Sequence, residues 1–133
     1  MFAAALDPAR VRILAVPLWN RPFVAGPSLI VWPAAQLPAD FAAAPLDRQA
    51  TFVHELAHVW QAQNGVRLLR AKLKAGDSAA AYAYDLGGDP AFGELNIEQQ
   101  AMVVEHAFLA SRGGQTPHSP EVYARASAAW RRG

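Results

Sequence analysis

The sequence predicts an α+β fold, a small antiparallel sheet packed on two long helices, built as one domain over residues 1–133. Two observations carry this. The first 32 residues hold two short β-branched runs, Arg-Val-Arg-Ile-Leu-Ala-Val at 10–16 and Ser-Leu-Ile-Val-Trp at 28–32, separated by proline and glycine. After residue 46 the apolar residues recur at helical spacing, and capping residues flank two long segments.

The elements follow in order. Pro17 and Pro22 interrupt the first run, Gly26-Pro27 marks a turn, and Pro33 closes the second run, so the two are expected to pair antiparallel. Residues 34–46 are an Ala/Pro-rich connection. Asp47 is an N-cap for a helix over about 48–64, and Gly65 is its C-terminal stop. In that helix Val53, Leu56, Ala57 and Trp60 fall at i, i+3, i+4 and i+7, which predicts the buried stripe. Residues 66–74 form a short helix ended by Gly76-Asp77; its charges, Arg67 to Lys74, read as a solvated face. Tyr82 to Leu86 is a short extended piece before the turn Gly87-Gly88-Asp89-Pro90. Asn96, with Gln99 three residues on, forms a capping box for a second long helix reaching Ser111. Ser119-Pro120 opens a last helix ending in Arg131-Arg132.

Composition restricts the function classes. With 133 residues, 53% of them apolar, there is material for one core. There are no cysteines, which excludes disulfides, thiolate metal sites and a cysteine nucleophile. A formal net charge of +1 gives no field drawing the chain to nucleic acid or an anionic membrane, so neither is an expected partner. No apolar run approaches the roughly 20 residues of a membrane helix. The start, Met1 to Asp7, lacks the basic and long apolar regions of a signal peptide. The expected location is the cytoplasm, or outside by a route without a classical signal peptide.

The chemistry lies in Thr51-Phe-Val-His54-Glu55-Leu-Ala-His58-Val-Trp60, inside the first long helix. Residues four apart share a helix face, so His54 and His58 can aim two imidazoles at one zinc ion. Glu55, directly after the first histidine, projects to the side of that ion. It reaches a water on the metal without ligating, the position of a general base. A helical His-Glu-x-x-His motif fixes only three positions, and two surface histidines beside a solvated glutamate is its bland reading.

Zinc with an open coordination position needs a third protein ligand. The candidates are Glu94, Glu98, Glu105, His106 and His118. Glu98 is favoured, because it lies in the first turn of the second long helix, beside the apolar stripe Ile97, Ala101, Val104 and Phe108. A helix of that kind can pack on the histidine helix and present Glu98 to the metal. His106 lies about 80° around the helix from Glu98, so the two do not serve one ion. His118 reads as a loop residue.

The segments His54-Glu-Leu-Ala-His-Val-Trp-Gln61, Tyr82-Ala-Tyr-Asp-Leu86 and Phe92-Gly-Glu-Leu-Asn-Ile-Glu-Gln-Gln-Ala-Met-Val-Val-Glu105 together resemble a family of small bacterial proteins. These look like minimal gluzincin zinc metallopeptidases and are related to Rhs and type VI secretion spike proteins. The resemblance covers most of residues 10–110. It implies a zincin-like α+β fold with His54, His58 and Glu98 as zinc ligands. Four residues after Glu98, where such a family often has a second acid, stands Met102. Glu105, one turn further, is the candidate to orient a ligand histidine. Tyr82 and Tyr84 are candidates to stabilise an oxyanion; they alternate, so at most one can serve. The expected activity is hydrolysis of a peptide or protein substrate. The alternative is a zinc-binding structural or interaction module of a secretion or phage-tail-like apparatus, without turnover.

Overall fold

The computed structural model describes residues 6–76 and 78–132. A three-stranded sheet precedes five helices, as the α+β expectation requires. The strands are β1 (Arg12–Val16), β2 (Phe23–Val24) and β3 (Leu29–Pro33), in the order β1-β3-β2. The helices are α1 (Leu46–Gln63), α2 (Leu68–Ala75), α3 (Ala79–Tyr82), α4 (Ile97–Ser111) and α5 (Pro120–Arg132).

The expected antiparallel pairing of the two β-branched runs is wrong. β1 lies parallel to β3, with Arg12 opposite Leu29 and Val16 opposite Pro33. Residues 17–28 are long enough to carry the chain back for a parallel return. Leu18 opens this excursion at φ 61°, in the left-handed region. Within it Phe23 and Val24 pair antiparallel to Val31 and Ile30 and form the third strand. β3 is therefore central and its Ile30, Val31 and Trp32 are buried, whereas β1 is an exposed edge.

Helix α1 begins earlier than Asp47. The carbonyl of Pro45 accepts from the N–H groups of Arg48 and Gln49, and Asp47 instead places its carboxylate in the first turn, where the helix dipole favours it. The end is as expected. Gly65, at φ 90°, takes the left-handed position, and Val66 N–H reaches back to the Gln61 carbonyl in a Schellman closure. α4 has the anticipated cap, with Asn96 Oδ1 accepting from Gln99 N–H at 2.8 Å and Gln99 Oε1 from Asn96 N–H at 2.9 Å. α2 ends at Gly76, at φ 78°; Asp77, expected to end it too, lies outside the described residues, as do Met1 to Ala5 of the N-terminal reading. Tyr82 closes the helical turn α3 and is not part of an extended run; the chain extends only from Ala83.

The buried stripe of α1 also differs from expectation. Ala57 and Val59 are buried with His54, Glu55, His58 and Gln61, while Val53, Leu56 and Trp60 are only half-buried. The polar face turns inward because α4 packs against it. Ala57 of α1 meets Ala101 and Val104 of α4, and alanines at a helix crossing allow close approach. Val59 packs on the other side, with Ile30 and Trp32 of the sheet and Ile97 of α4. α1 is thus held between sheet and α4, and its histidines face α4.

Candidate metal centre

Three donor atoms converge where α1 crosses α4. His58 Nε2 lies 3.2 Å and His54 Nε2 3.4 Å from the same oxygen, Oε2 of Glu98. All three side chains are buried, and their potential ligand atoms lie within 4.8 Å of one another. Donors about 2.0–2.1 Å from a tetrahedral zinc stand about 3.3–3.4 Å apart. The two separations from Glu98 match that edge, and the donor set of two imidazoles and a carboxylate is one that zinc accepts.

Each histidine is turned to present Nε2 by a contact at Nδ1. His54 Nδ1 lies 2.9 Å from Glu105 Oε2. A carboxylate only accepts, so Nδ1 carries a hydrogen, and once the ring is neutral Nε2 keeps the lone pair that a metal would take. His58 Nδ1 lies 2.8 Å from Gln61 Oε1. The amide orientation of Gln61 is set by its nitrogen, which donates to the Ile97 carbonyl at 3.0 Å and to Gln100 Oε1 at 2.9 Å. Gln100 in turn donates to the carbonyls of Phe92 and Leu95. His58 is therefore locked through α1, α4 and the loop before α4. Sequence reading gave Gln61 no such role. The signal was available, since Gln61 is three residues after His58 on one face.

The electrostatics of the three groups are coupled. Burial alone would raise the Glu98 carboxyl, but hydrogen bonds from His54 and His58 reverse this and hold it well below its ordinary range. Burial alone would lower His54; hydrogen bonds to Glu105 and Glu98 outweigh it and raise the imidazole to about 9. Glu55 adjoins these groups. It is buried beside the triad, outside the ligand group, and its Oε2 has no hydrogen-bond partner. Burial raises its carboxyl above the ordinary value against the pull of His54, His58 and Lys72.

A cleft of about 230 Å³ opens onto this cluster. Besides the histidines and glutamates it is lined by Thr51, Tyr82, Lys72 and the segment Arg21-Pro22-Phe23 leading into β2. The Tyr82 ring lies nearly parallel to that of His54, centroids 6.5 Å apart. Of the two tyrosine candidates only Tyr82 borders the cleft. Tyr84 sits at the α4–α5 seam with its hydroxyl 2.6 Å from both His106 Nδ1 and the Tyr123 hydroxyl. Of the other third-ligand candidates, Glu105 meets His54 at Nδ1, the nitrogen away from Glu98, and Glu94, His106 and His118 are elsewhere. Glu94 Oε2 accepts from Ala91 N–H in its own turn, and His118 Nε2 accepts from Leu86 N–H.

Known proteins share this arrangement of elements. Over 121 residues, 82% of the chain, the sequence is 32% identical to the type VI secretion system spike protein VgrG2b of Pseudomonas aeruginosa. The chain spans only 12% of the length of that protein. The solved effector domain of Pseudomonas aeruginosa VgrG2b matches at a TM-score of 0.69 and 30% identity, covering 98% of this chain and 74% of that domain. The chain belongs to the family of the VgrG2b effector domain. No model of a protein family matches it. The resemblance to secretion-spike relatives is therefore upheld, and the crossing of α1 and α4, with its His-His-Glu group able to hold a metal ion, lies within the shared VgrG2b effector-domain fold. No helix among the described residues is long and apolar enough to cross a membrane.

Proposed function

We propose that this chain is a zincin-like, zinc-dependent hydrolase domain of the gluzincin type, acting on peptide bonds and associated with a type VI secretion spike. The observation that carries the reading is the convergence of His54 Nε2 and His58 Nε2 on one oxygen of Glu98, with an unpartnered Glu55 carboxylate oxygen beside them. His54, His58 and Glu98 would hold the ion. Zinc, when bound, supplies Lewis acidity that polarises a carbonyl and eases deprotonation of a water.

The chain's own groups do the rest. Glu55 accepts the proton of the attacking water at Oε2 and delivers it to the departing amine nitrogen. Its burial, which raises the carboxyl, makes it a better base than a solvated glutamate and allows it to hold the proton between the two steps. Glu105 and Gln61 keep both imidazoles in the productive orientation. Tyr82, on the cleft wall, would donate to a developing oxyanion.

The alternative, a zinc-stabilised module without turnover, draws on the same triad, which joins α1 to α4. Glu55 separates the two readings, because a structural site has no use for a base. Glu55→Gln should retain zinc and fold. In a screen with unstructured protein substrates it should lose at least about a hundredfold in rate. Zinc-loaded wild type that cleaves nothing, or a variant that cleaves as well as wild type, would overturn the hydrolytic mechanism.

A further inference from the structure

Two cations share the cleft with the metal ligands and pair with no carboxylate among the described residues. Arg21 precedes β2 and Lys72 lies on α2, and both line the cleft of His54, His58 and Glu98. The ion pairs among the described residues join His54 to Glu98 and Glu105, His58 to Glu98, and Arg125 to Asp89. Arg21 and Lys72 are in none of them. Of the cleft carboxylates, Glu98 is engaged by both imidazoles and Glu105 by His54, which leaves the buried Glu55. Lys72 acts on Glu55 through space and makes no ion pair with it.

The placement is one-sided. Glu98 and Glu105 enter from α4, whereas Arg21 and Lys72 enter from the β2 and α2 side. Lys72 and Phe23 also border a second groove, of about 480 Å³, between the β2 segment and α2. Lys72 thus stands between the cleft of the metal ligands and this groove, and Arg21 lines the cleft beside it. A half-buried ammonium and a guanidinium fork in that position favour an anion, and a planar carboxylate suits the fork.

We propose that Arg21 and Lys72 form a carboxylate clamp, and that the site selects peptides carrying a carboxylate next to the bond to be cleaved. This rests on the peptidase reading of the site. The carboxylate comes from a free C-terminus or from an acidic side chain, and the clamp chemistry is the same for both.

The test is calorimetric binding to zinc-loaded Glu55→Gln protein, which removes turnover. Three probes are compared: N-acetyl-trialanine, its C-terminal amide, and N-acetyl-Ala-Asp-Ala amide. At least one carboxylate-bearing peptide should bind about tenfold more tightly than the neutral amide, an effect that weakens with salt. Preference for the first alone assigns the clamp to C-termini, and for the third alone to acidic side chains. Adding Arg21→Gln and Lys72→Gln together should reduce the preference below about twofold while zinc content stays at the wild-type level.

Equal binding of all three probes, or binding of none, overturns the clamp. So does a preference that survives the double substitution, since the metal would then be taking the carboxylate. If the protein proves to hold no zinc, the peptidase reading fails separately. The clamp is then judged on the same three probes with metal-free protein, where the double substitution must still abolish the preference.

Discussion

Glu105 Oε2 lies 2.9 Å from His54 Nδ1, and this contact turns the opposite nitrogen of the ring towards Glu98. Met102 stands where an acid following Glu98 was expected, and the contact is made from Glu105, two turns along α4 from Glu98. Glu105→Ala should weaken zinc binding about 10- to 100-fold, the usual range for a lost orienting partner. Competition with a chromophoric chelator measures this. Glu105→Gln, which keeps an acceptor oxygen, should lose less, and Met102→Ala should change zinc affinity little. Unaltered affinity in Glu105→Ala would show that His54 is oriented without it.

The two glutamates just before and within the start of α4 should behave in opposite ways. Glu98→Ala removes a donor on which both histidines converge, and zinc binding should fall severely, as it should for His54→Ala and His58→Ala. Glu94 caps its own turn through Ala91, so Glu94→Ala should cost only a cap, about 1 kcal/mol of stability, with zinc content unchanged. Elemental analysis of the purified variants decides the matter. Equal zinc content in the Glu94 and Glu98 variants would exclude Glu98 as the third ligand.

Gln61 is a structural as well as a positioning residue. Gln61→Leu would leave His58 Nδ1, the Ile97 carbonyl and Gln100 Oε1 short of a partner in a buried region. Unsatisfied buried polar groups cost about 1–3 kcal/mol each, so denaturant unfolding should show a loss of at least about 2 kcal/mol. Zinc affinity should fall with it. A loss under about 0.5 kcal/mol would mean that the network is dispensable.

Metal-free protein should be least stable on the alkaline side. The His54 imidazole is raised to about 9 in the folded chain from an unfolded value of 6.5. Its stabilising contribution is full below pH 6.5 and disappears as pH rises towards 9. Glu98 is held low, so its contribution is full above its unfolded value of 4.5 and is lost in acid. After chelation the melting temperature should therefore fall by several degrees between pH 6.5 and 9. Zinc should raise the melting temperature at every pH in this window and flatten the decline, because binding requires a neutral His54 and favours the folded state. A chelated protein with a flat profile would contradict this coupling.

Local sequence signals determined the two long helices, α2 and α5, the histidine pair and the cap of α4, but not the helical turn α3. Spacing of i and i+4 places His54 and His58 on one face of any helix, and Asn96 with Gln99 closes a cap from residues three apart. The α+β class was legible for the same reason, as periodicity is a property of neighbouring residues. Strand direction was not: β1 and β3 are parallel because the chain detours through Phe23-Val24, a long-range pairing that two residues cannot announce. Nor could spacing show that the polar face of α1 is buried. That depends on the close crossing at Ala57 and Ala101, which brings α4 against the histidines and delivers Glu98 and Glu105 to the two nitrogens of His54 from across the interface. It likewise took packing to separate Tyr82 from Tyr84, since α5 draws Tyr84 away through the Tyr123 hydroxyl while Tyr82 stays on the cleft wall. Covalent neighbours set which groups can share a face; only the helix crossing, stabilised by apolar burial, set which faces meet.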